Sequence, residues 1–148
     1  VDMMSSIQTL CPEYENRLSI AKKLLDEVGD KISDGTLKKR NLIWLELTGC
    51  SGNIISLLDG YHPEYEYLIS NMTNLLYNNS LMSEWGEMAI AKLFNAVDTD
   101  FILAVEGAVA TENNGLYNII GRWQGRFFTA LDAIKLLGEK ASHVITVG

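Results

Sequence analysis

Two short, almost uninterrupted apolar runs constrain this chain most: NLIWLEL (Asn41–Leu47) and DFILAVEG (Asp100–Gly107). Strands buried on both faces of a parallel sheet read this way, whereas a strand with one wet face alternates apolar with polar residues. The rest of the chain alternates helical with strand-like patterns. From Pro12, which suits a first helical position, the residues Tyr14, Leu18, Ala21, Leu25, Val28 and Ile32 recur at spacings of three and four and predict an amphipathic helix. SDGTLKKR (Ser33–Arg40) is a polar breaker containing Asp34-Gly35. NIISLLDG predicts a short helix stopped by Gly60, and YHPEYEYLISNMTNLL a strand near Tyr65–Asn71. SEWGEMAIAKLFNAV is helical, with Met88, Ala91 and Phe94 among its apolar positions. AVATENNGLYNIIGR reads as a loop around Asn113-Asn114-Gly115. WQGRFFTALDAIKLLGEKA reads as a helix with Phe127, Leu131, Ile134 and Leu137 on one stripe and Gly138 near its end. SHVITVG (Ser142–Gly148) is a last strand.

Strands alternating with helices imply a parallel sheet with right-handed crossovers, covered on both faces. The 148 residues amount to about one domain. Ligands of such open sheets bind outside the carboxyl ends of the strands. The turns at Leu47–Asn53 and Glu106–Gly115 are therefore the candidate site, with another expected beyond Gly148, where a strand ends. A formal charge of −7 argues against nucleic acid, which needs a surplus of Lys and Arg. Two cysteines, Cys11 and Cys50, make no disulfide framework and fit a reduced compartment. No apolar run is long enough to cross a membrane. No signal pattern opens the sequence, so a cytoplasmic location, or one on the cytoplasmic face of a membrane, is expected. There is no Ser/His/Asp set, no His-x-x-x-His spacing and no P-loop lysine, so catalysis by this chain alone is not expected. His62 and His143 read as structural, and Glu64, Glu66, Glu84 and Glu87 as a solvated face. Trp85, Trp123, Phe127 and Phe128 read as core or interface.

The turn Thr48-Gly49-Cys50-Ser51-Gly52-Asn53 admits two chemical readings. As a phosphate cradle, Gly49 and Gly52 let the backbone bend and present N–H groups. Thr48, Ser51 and Asn53 add side-chain donors, and the following helix points its positive end at the same spot. The letters resemble the flavodoxin phosphate loop, commonly T-G-x-T-G-N. That resemblance implies an FMN-binding electron carrier, with Tyr117 or Trp123 to stack on the ring. As an iron–sulfur socket, the soft thiolate of Cys50 would be a ligand, and the other ligands would come from elsewhere. Beside both stands the plain reading of a tight strand-to-helix connection whose cysteine only packs, in an interaction module without a redox role.

A longer resemblance favours the second reading. WLELTGCSGNIISLL resembles the first cluster-binding segment of the small subunit of nickel–iron hydrogenases. Many members read W-L-E and then C-x-G-C, and one branch of uptake hydrogenases reads W-L-Q-G-G-A-C-S-G-N. GEMAIAKL resembles the family's segment after its second strand, and FILAVEGAVATENNGLYNIIGR its V-E-G stretch. SHVITVG resembles the strand leading into G-T-C-A-x-x-G-G. The match covers Asn41–Gly148, while the helix before Asn41 has no counterpart. The related 20 kDa subunit of respiratory NADH–quinone oxidoreductase usually has adjacent cysteines in this loop, and this chain does not.

The resemblance implies an α/β fold, a flavodoxin-like three-layer sandwich with a mostly parallel sheet, preceded by an extra N-terminal helix. Residues 1–40 would be a helical extension and 41–148 the front part of a longer subunit. It implies an electron-transfer subunit that is itself non-catalytic, docked on the large subunit that carries the nickel–iron centre. Cys50 would ligate the proximal iron–sulfur cluster. Glu46 would lie at the strand end beneath the loop, and Glu106 and Gly107, in the V-E-G match, near the cluster. Asn53 falls where most of the family has its second cysteine, which implies a three-iron or otherwise non-standard cluster. Gly49 replaces the acid that often precedes the first cysteine.

Overall fold

A computed structural model describes residues 14–61 and 63–148, Tyr14 without its side chain. Cys11, Pro12 and His62 lie outside the described residues. The first helix, α1, spans Tyr14–Ser33. Its half-buried residues Leu18, Ala21, Leu25, Val28 and Ile32 are the stripe read from the sequence. It ends where Asp34 folds back, its carboxylate accepting the N–H of Thr36 at 2.8 Å and Gly35 taking φ +79°.

Strand β1 (Arg40–Glu46) is followed by α2 (Gly52–Leu58) and by a single helical turn, α3 (Tyr65–Tyr67), which widens into a π-helical turn over Leu68–Met72. Strand β2 comes only then, at Thr73–Asn78. The expected strand at Tyr65–Asn71 is thus helical. The run from Tyr65 to Tyr77 holds no Gly or Pro to mark where helix stops and strand starts. Tyr67 is instead committed to helix packing: a Cβ on Gly29 of α1 would collide with its hydroxyl. Helix α4 (Glu87–Ala96) and strand β3 (Phe101–Glu106) fall as read. On α4 the buried positions are Ile90, Leu93 and Ala96, whereas Met88 is exposed.

The stretch read as a loop running into a long helix is different. A 3₁₀ turn at Glu112–Gly115 leads into a hairpin of β4 (Ile119–Trp123) and β5 (Arg126–Thr129), and α5 begins only at Ala130, running to Gly138. The hairpin turn, Gln124-Gly125, has positive φ at both residues (+49° and +77°), the combination that matches strand twist. Phe127 is therefore a half-exposed strand residue beneath the Arg122 guanidinium, not part of a helical stripe. Phe128 and Trp123 turn inward and pack on Phe94, each ring centroid 5.2 Å from it.

Helix α5 starts with a reciprocal cap. The Thr129 hydroxyl accepts the Asp132 N–H at 3.1 Å, and the Asp132 carboxylate accepts the Thr129 N–H at 3.0 Å. Because Thr129 is buried, Thr129→Ala is expected to cost about 1–2 kcal/mol, the upper part of the range for lost caps. A urea titration of the variant measures it.

The last strand, β6 (His143–Val147), completes a four-stranded, all-parallel sheet of order β2-β1-β3-β6. Strand side chains alternate between faces. Ile43, Leu45, Phe101, Leu103 and Val105 meet Ile90, Leu93, Ala133, Leu137 and Phe128 in the main core. Trp44 and Glu46 point to the other face. Cover on both faces fails at β6, where Val144 and Ile145 are each about half exposed. Among the described residues, no helix is long and apolar enough to cross a membrane.

Candidate functional site

The sheet order fixes where a site can form. From β1 the chain passes to β2 on one flank, and from β3 it passes to β6 on the other. The ends of β1 and β3 therefore border the crevice at the switch point of an open α/β sheet. Glu46 and Glu106 are register partners there. The turn Leu47–Asn53 closes over this end.

Short bonds seat the turn on β3. The N–H of Leu47 donates to the Glu106 carbonyl at 2.9 Å, and that of Thr48 to the Ala108 carbonyl at 3.3 Å. The Thr48 hydroxyl donates to the Ala108 carbonyl at 2.8 Å and accepts the Ala108 N–H at 3.0 Å. The carboxylate of Glu106, only 1% exposed, accepts the Asn53 N–H at 3.1 Å through Oε1 and the Trp44 indole N–H at 3.3 Å through Oε2. Gly107, at φ +84°, lies flat under the turn: a Cβ there would be 2.6 Å from the Gly49 nitrogen. The constraint at Gly52 is milder, since a Cβ on it would stand 3.1 Å from the movable Cys50 Sγ. Ser51 is left-handed (φ 58°) and caps α2 with no side-chain bond. Cys50 is left exposed at the top of this arrangement.

Glu46, on the same face of the sheet as its register partner Glu106, is engaged toward β2 instead. Its Oε2 accepts the Ser80 hydroxyl at 2.8 Å, and its backbone N–H and C=O pair with the Asn79 amide at 3.0 and 2.6 Å. Glu46 thus ties the end of β1 to the turn after β2. Its charge and, more strongly, burial push the Tyr65 hydroxyl above the ordinary phenol range. Sequence reading missed Trp44 as a partner of Glu106 and the Asn79-Ser80 pair as partners of Glu46. The available signal was that Trp44 lies two residues before Glu46, on the same face of β1.

This geometry weighs against a phosphate cradle. Three backbone donors that an outside anion would use, at Leu47, Thr48 and Asn53, are spent on β3 and its loop. The donor at Asn53 already holds a carboxylate, which repels a second anion. Trp123 is packed on Phe94, and the exposed Tyr117 accepts a bond from Asn113 at 2.6 Å, so both named stacking aromatics have other engagements. For an iron–sulfur cluster the fit is partial. Cys50 offers an exposed thiol in a turn free of crowding side chains, which suits one corner of a cluster. Among the described residues, however, Cys50 is the only free cysteine, and no three His, Cys, Asp or Glu side chains group to hold a metal. A [2Fe–2S] or [4Fe–4S] cluster takes four cysteines.

No family model matches the chain. It is 30% identical over 119 residues to the periplasmic [NiFeSe] hydrogenase small subunit of Desulfomicrobium baculatum, covering 75% of this chain and 38% of that one. It is 30% identical over 113 residues to the periplasmic [NiFe] hydrogenase small subunit 1 of Nitratidesulfovibrio vulgaris, covering 75% and 34%. To the hydrogenase-2 small chain of Escherichia coli K12 it is 23% identical over 142 residues, covering 94% and 36%. Among solved structures, it superposes on the [NiFeSe] hydrogenase of Desulfovibrio vulgaris Hildenborough with a TM-score of 0.72 and 31% identity, covering 76% of this chain and 41% of that one. The chain therefore spans little more than a third of the curated relatives it matches. Two of these relatives are periplasmic by name, which overturns the expectation of a cytoplasmic location.

Proposed function

The chain belongs to the family of nickel–iron hydrogenase small subunits, and from that premise we propose that it carries electrons for a hydrogenase in the periplasm, with Cys50 a ligand of the proximal iron–sulfur cluster. The observation that carries this reading is the place of Cys50: an exposed thiol at the switch point, in a turn whose backbone donors face the protein. A cluster held there supplies one-electron transfer at a potential set by ligation, hydrogen bonds and solvent exposure.

The chain's own residues do the rest. Gly107 and Gly52 keep the turn low and uncrowded, Thr48 fastens it to the loop after β3, and Glu106 holds the first turn of α2. Asn53 contributes its backbone N–H to Glu106, and its side chain offers no thiolate, so a three-iron or otherwise non-standard cluster is part of this reading. Residues 41–148 form the flavodoxin-like part under this reading, with 1–40 an added N-terminal segment.

The partner is the large subunit bearing the nickel–iron centre. The connections leaving β1, β2 and β3 at this end of the sheet expose Ile55, Leu58 and Tyr61, then Leu81, Trp85 and Met88, then Leu116 and Tyr117. Scattered single apolar residues need no explanation, but here each of the three connections that leave the Cys50 end of the sheet carries at least two. A partner covering that end would remove them from water and exclude solvent from the thiol. In this reading hydrogen chemistry belongs to the partner.

Purification from the source cells without oxygen, followed by iron, sulfide, nickel and flavin analysis, tests the proposal. Iron, sulfide and nickel in a complex with a larger chain are expected. Cys50→Ser is expected to lower the iron content while far-ultraviolet circular dichroism stays unchanged. Extractable flavin without iron, or a Cys50→Ser complex with its full iron content, overturns the proposal.

A further inference from the structure

We propose that Glu106 is the positioning residue for Cys50, acting from β3 as the N-terminal cap that α2 lacks. The proposal rests on the hydrogenase reading only for the identity of what Cys50 holds. Helix α2 has seven residues, too short to persist unaided. Its N-cap residue, Ser51, sits in a left-handed conformation and makes no side-chain cap bond. A carboxylate accepting from the first free N–H groups of a helix normally comes from that N-cap side chain. Here it comes from Glu106, 53 residues away, through the 3.1 Å bond from the Asn53 N–H. Cys50 immediately precedes the N-cap, so whatever fixes the start of α2 fixes the thiol.

Glu106 grips the turn on both sides of Cys50. Its carbonyl holds Leu47, three residues before, and its carboxylate holds Asn53, three residues after. A Cβ on Gly49 would come within 3.6 Å of Oε1, so the carboxylate also packs against the residue next to Cys50. The second oxygen is held by the Trp44 indole, which stops the side chain from rotating away. Both oxygens are engaged and the group is nearly sealed from water. The carboxylate is therefore a fixed strut rather than a mobile surface acid.

The two contacts can be separated chemically. Glutamine at 106 keeps one oxygen to accept the Asn53 N–H, but its amide N–H₂ then faces the Trp44 N–H, donor against donor. Removing the indole donor with Trp44→Phe should relieve that conflict. We therefore expect coupling between the two positions, of the kind a double-mutant cycle reads.

The test uses the full chain with Cys11→Ser, so that Cys50 is the sole thiol for a nitroxide label. In Glu106→Ala, the Asn53 amide is expected to exchange at least tenfold faster, while the amides of Leu45 and Leu103 in the sheet keep their rates. The electron paramagnetic resonance spectrum of the label should narrow as Cys50 gains freedom. Glu106→Gln should show a smaller version of both changes, and Glu106→Gln/Trp44→Phe should recover toward the parent. If Glu106→Ala does not fold, the Gln and Gln/Phe pair carries the same test. An unchanged Asn53 rate in the folded variants, an equal acceleration of every amide, or no recovery in the double variant overturns the proposal. None of these readouts involves iron, so a failed metal analysis with a positive exchange result rejects the cluster reading alone.

Discussion

Gly107→Ala is expected to destabilise the protein by about 2–4 kcal/mol and to lift the Cys50 turn off the end of β3. Two effects combine. A non-glycine residue held at φ +84° stores about 1 kcal/mol or more. The added methyl would also meet the Gly49 nitrogen at 2.6 Å, with the Gly49 Cα and the Thr48 carbonyl carbon both at 3.2 Å. Those atoms are backbone and cannot swing aside, so overpacking costs of about 1–3 kcal/mol apply. Gly35→Ala separates the two effects. Gly35 has nearly the same φ, +79°, but nothing lies within 4 Å of its Cβ position. Its alanine variant should show the conformational cost alone. If urea denaturation gives equal losses for the two variants, the close approach of Gly107 to Gly49 has no energetic consequence.

Phe101→Ala is expected to be the most damaging core change, at about 3–5 kcal/mol. Phe101 opens β3, the strand flanked by β1 and β6, and it is fully buried. Its carbonyl also accepts the N–H and the hydroxyl of Ser142, both at 2.9 Å, where the chain enters β6. A cavity here loosens both the core and the start of the next strand. Total stabilities of domains are about 5–15 kcal/mol, so the variant should unfold at a much lower urea midpoint. Phe127→Ala is the control. Its ring is half exposed on the hairpin, and its removal should cost less than about 1 kcal/mol.

Strands β1 and β3 were legible because buried parallel strands announce themselves as unbroken apolar runs, as at Ile43–Leu45 and Phe101–Val105. The α1 stripe was legible because the helical period holds over five apolar positions from Leu18 to Ile32. The hairpin was not. Its turn uses Gln124-Gly125 rather than Asn-Gly, and Phe127, Leu131 and Ile134 happen to keep helical spacing across the joint between β5 and α5. The correcting signal was present: Thr129 followed three residues later by Asp132 is a helix-start signature, and it places the boundary where the structure does. β2 was misplaced because no breaker separates it from the helical turn before it.

At the site, the turn itself was legible as a contiguous glycine-rich stretch at a strand end. Its supports were not. The bonds from Trp44 and Asn53 to Glu106 cross 62 and 53 residues of sequence, and those between Glu46 and Asn79-Ser80 cross 33 and 34. Such contacts follow from strand order, which local spacing does not encode. The acidic residue of the V-E-G segment was singled out by resemblance, and its partners came only from the fold.

The borrowed cap of α2 also bears on the order in which the protein assembles. Helix α2 and the Cys50 turn are synthesised well before residue 106, yet the acceptor that fixes them arrives with β3. Long-range contacts of this kind form late, since loop closure must precede their reward. Until β3 settles beside β1, the thiol sits on an unanchored stretch of chain. Any metal centre that depends on Cys50 would then be installed on a folded sheet, as a finishing step rather than as a nucleus for folding.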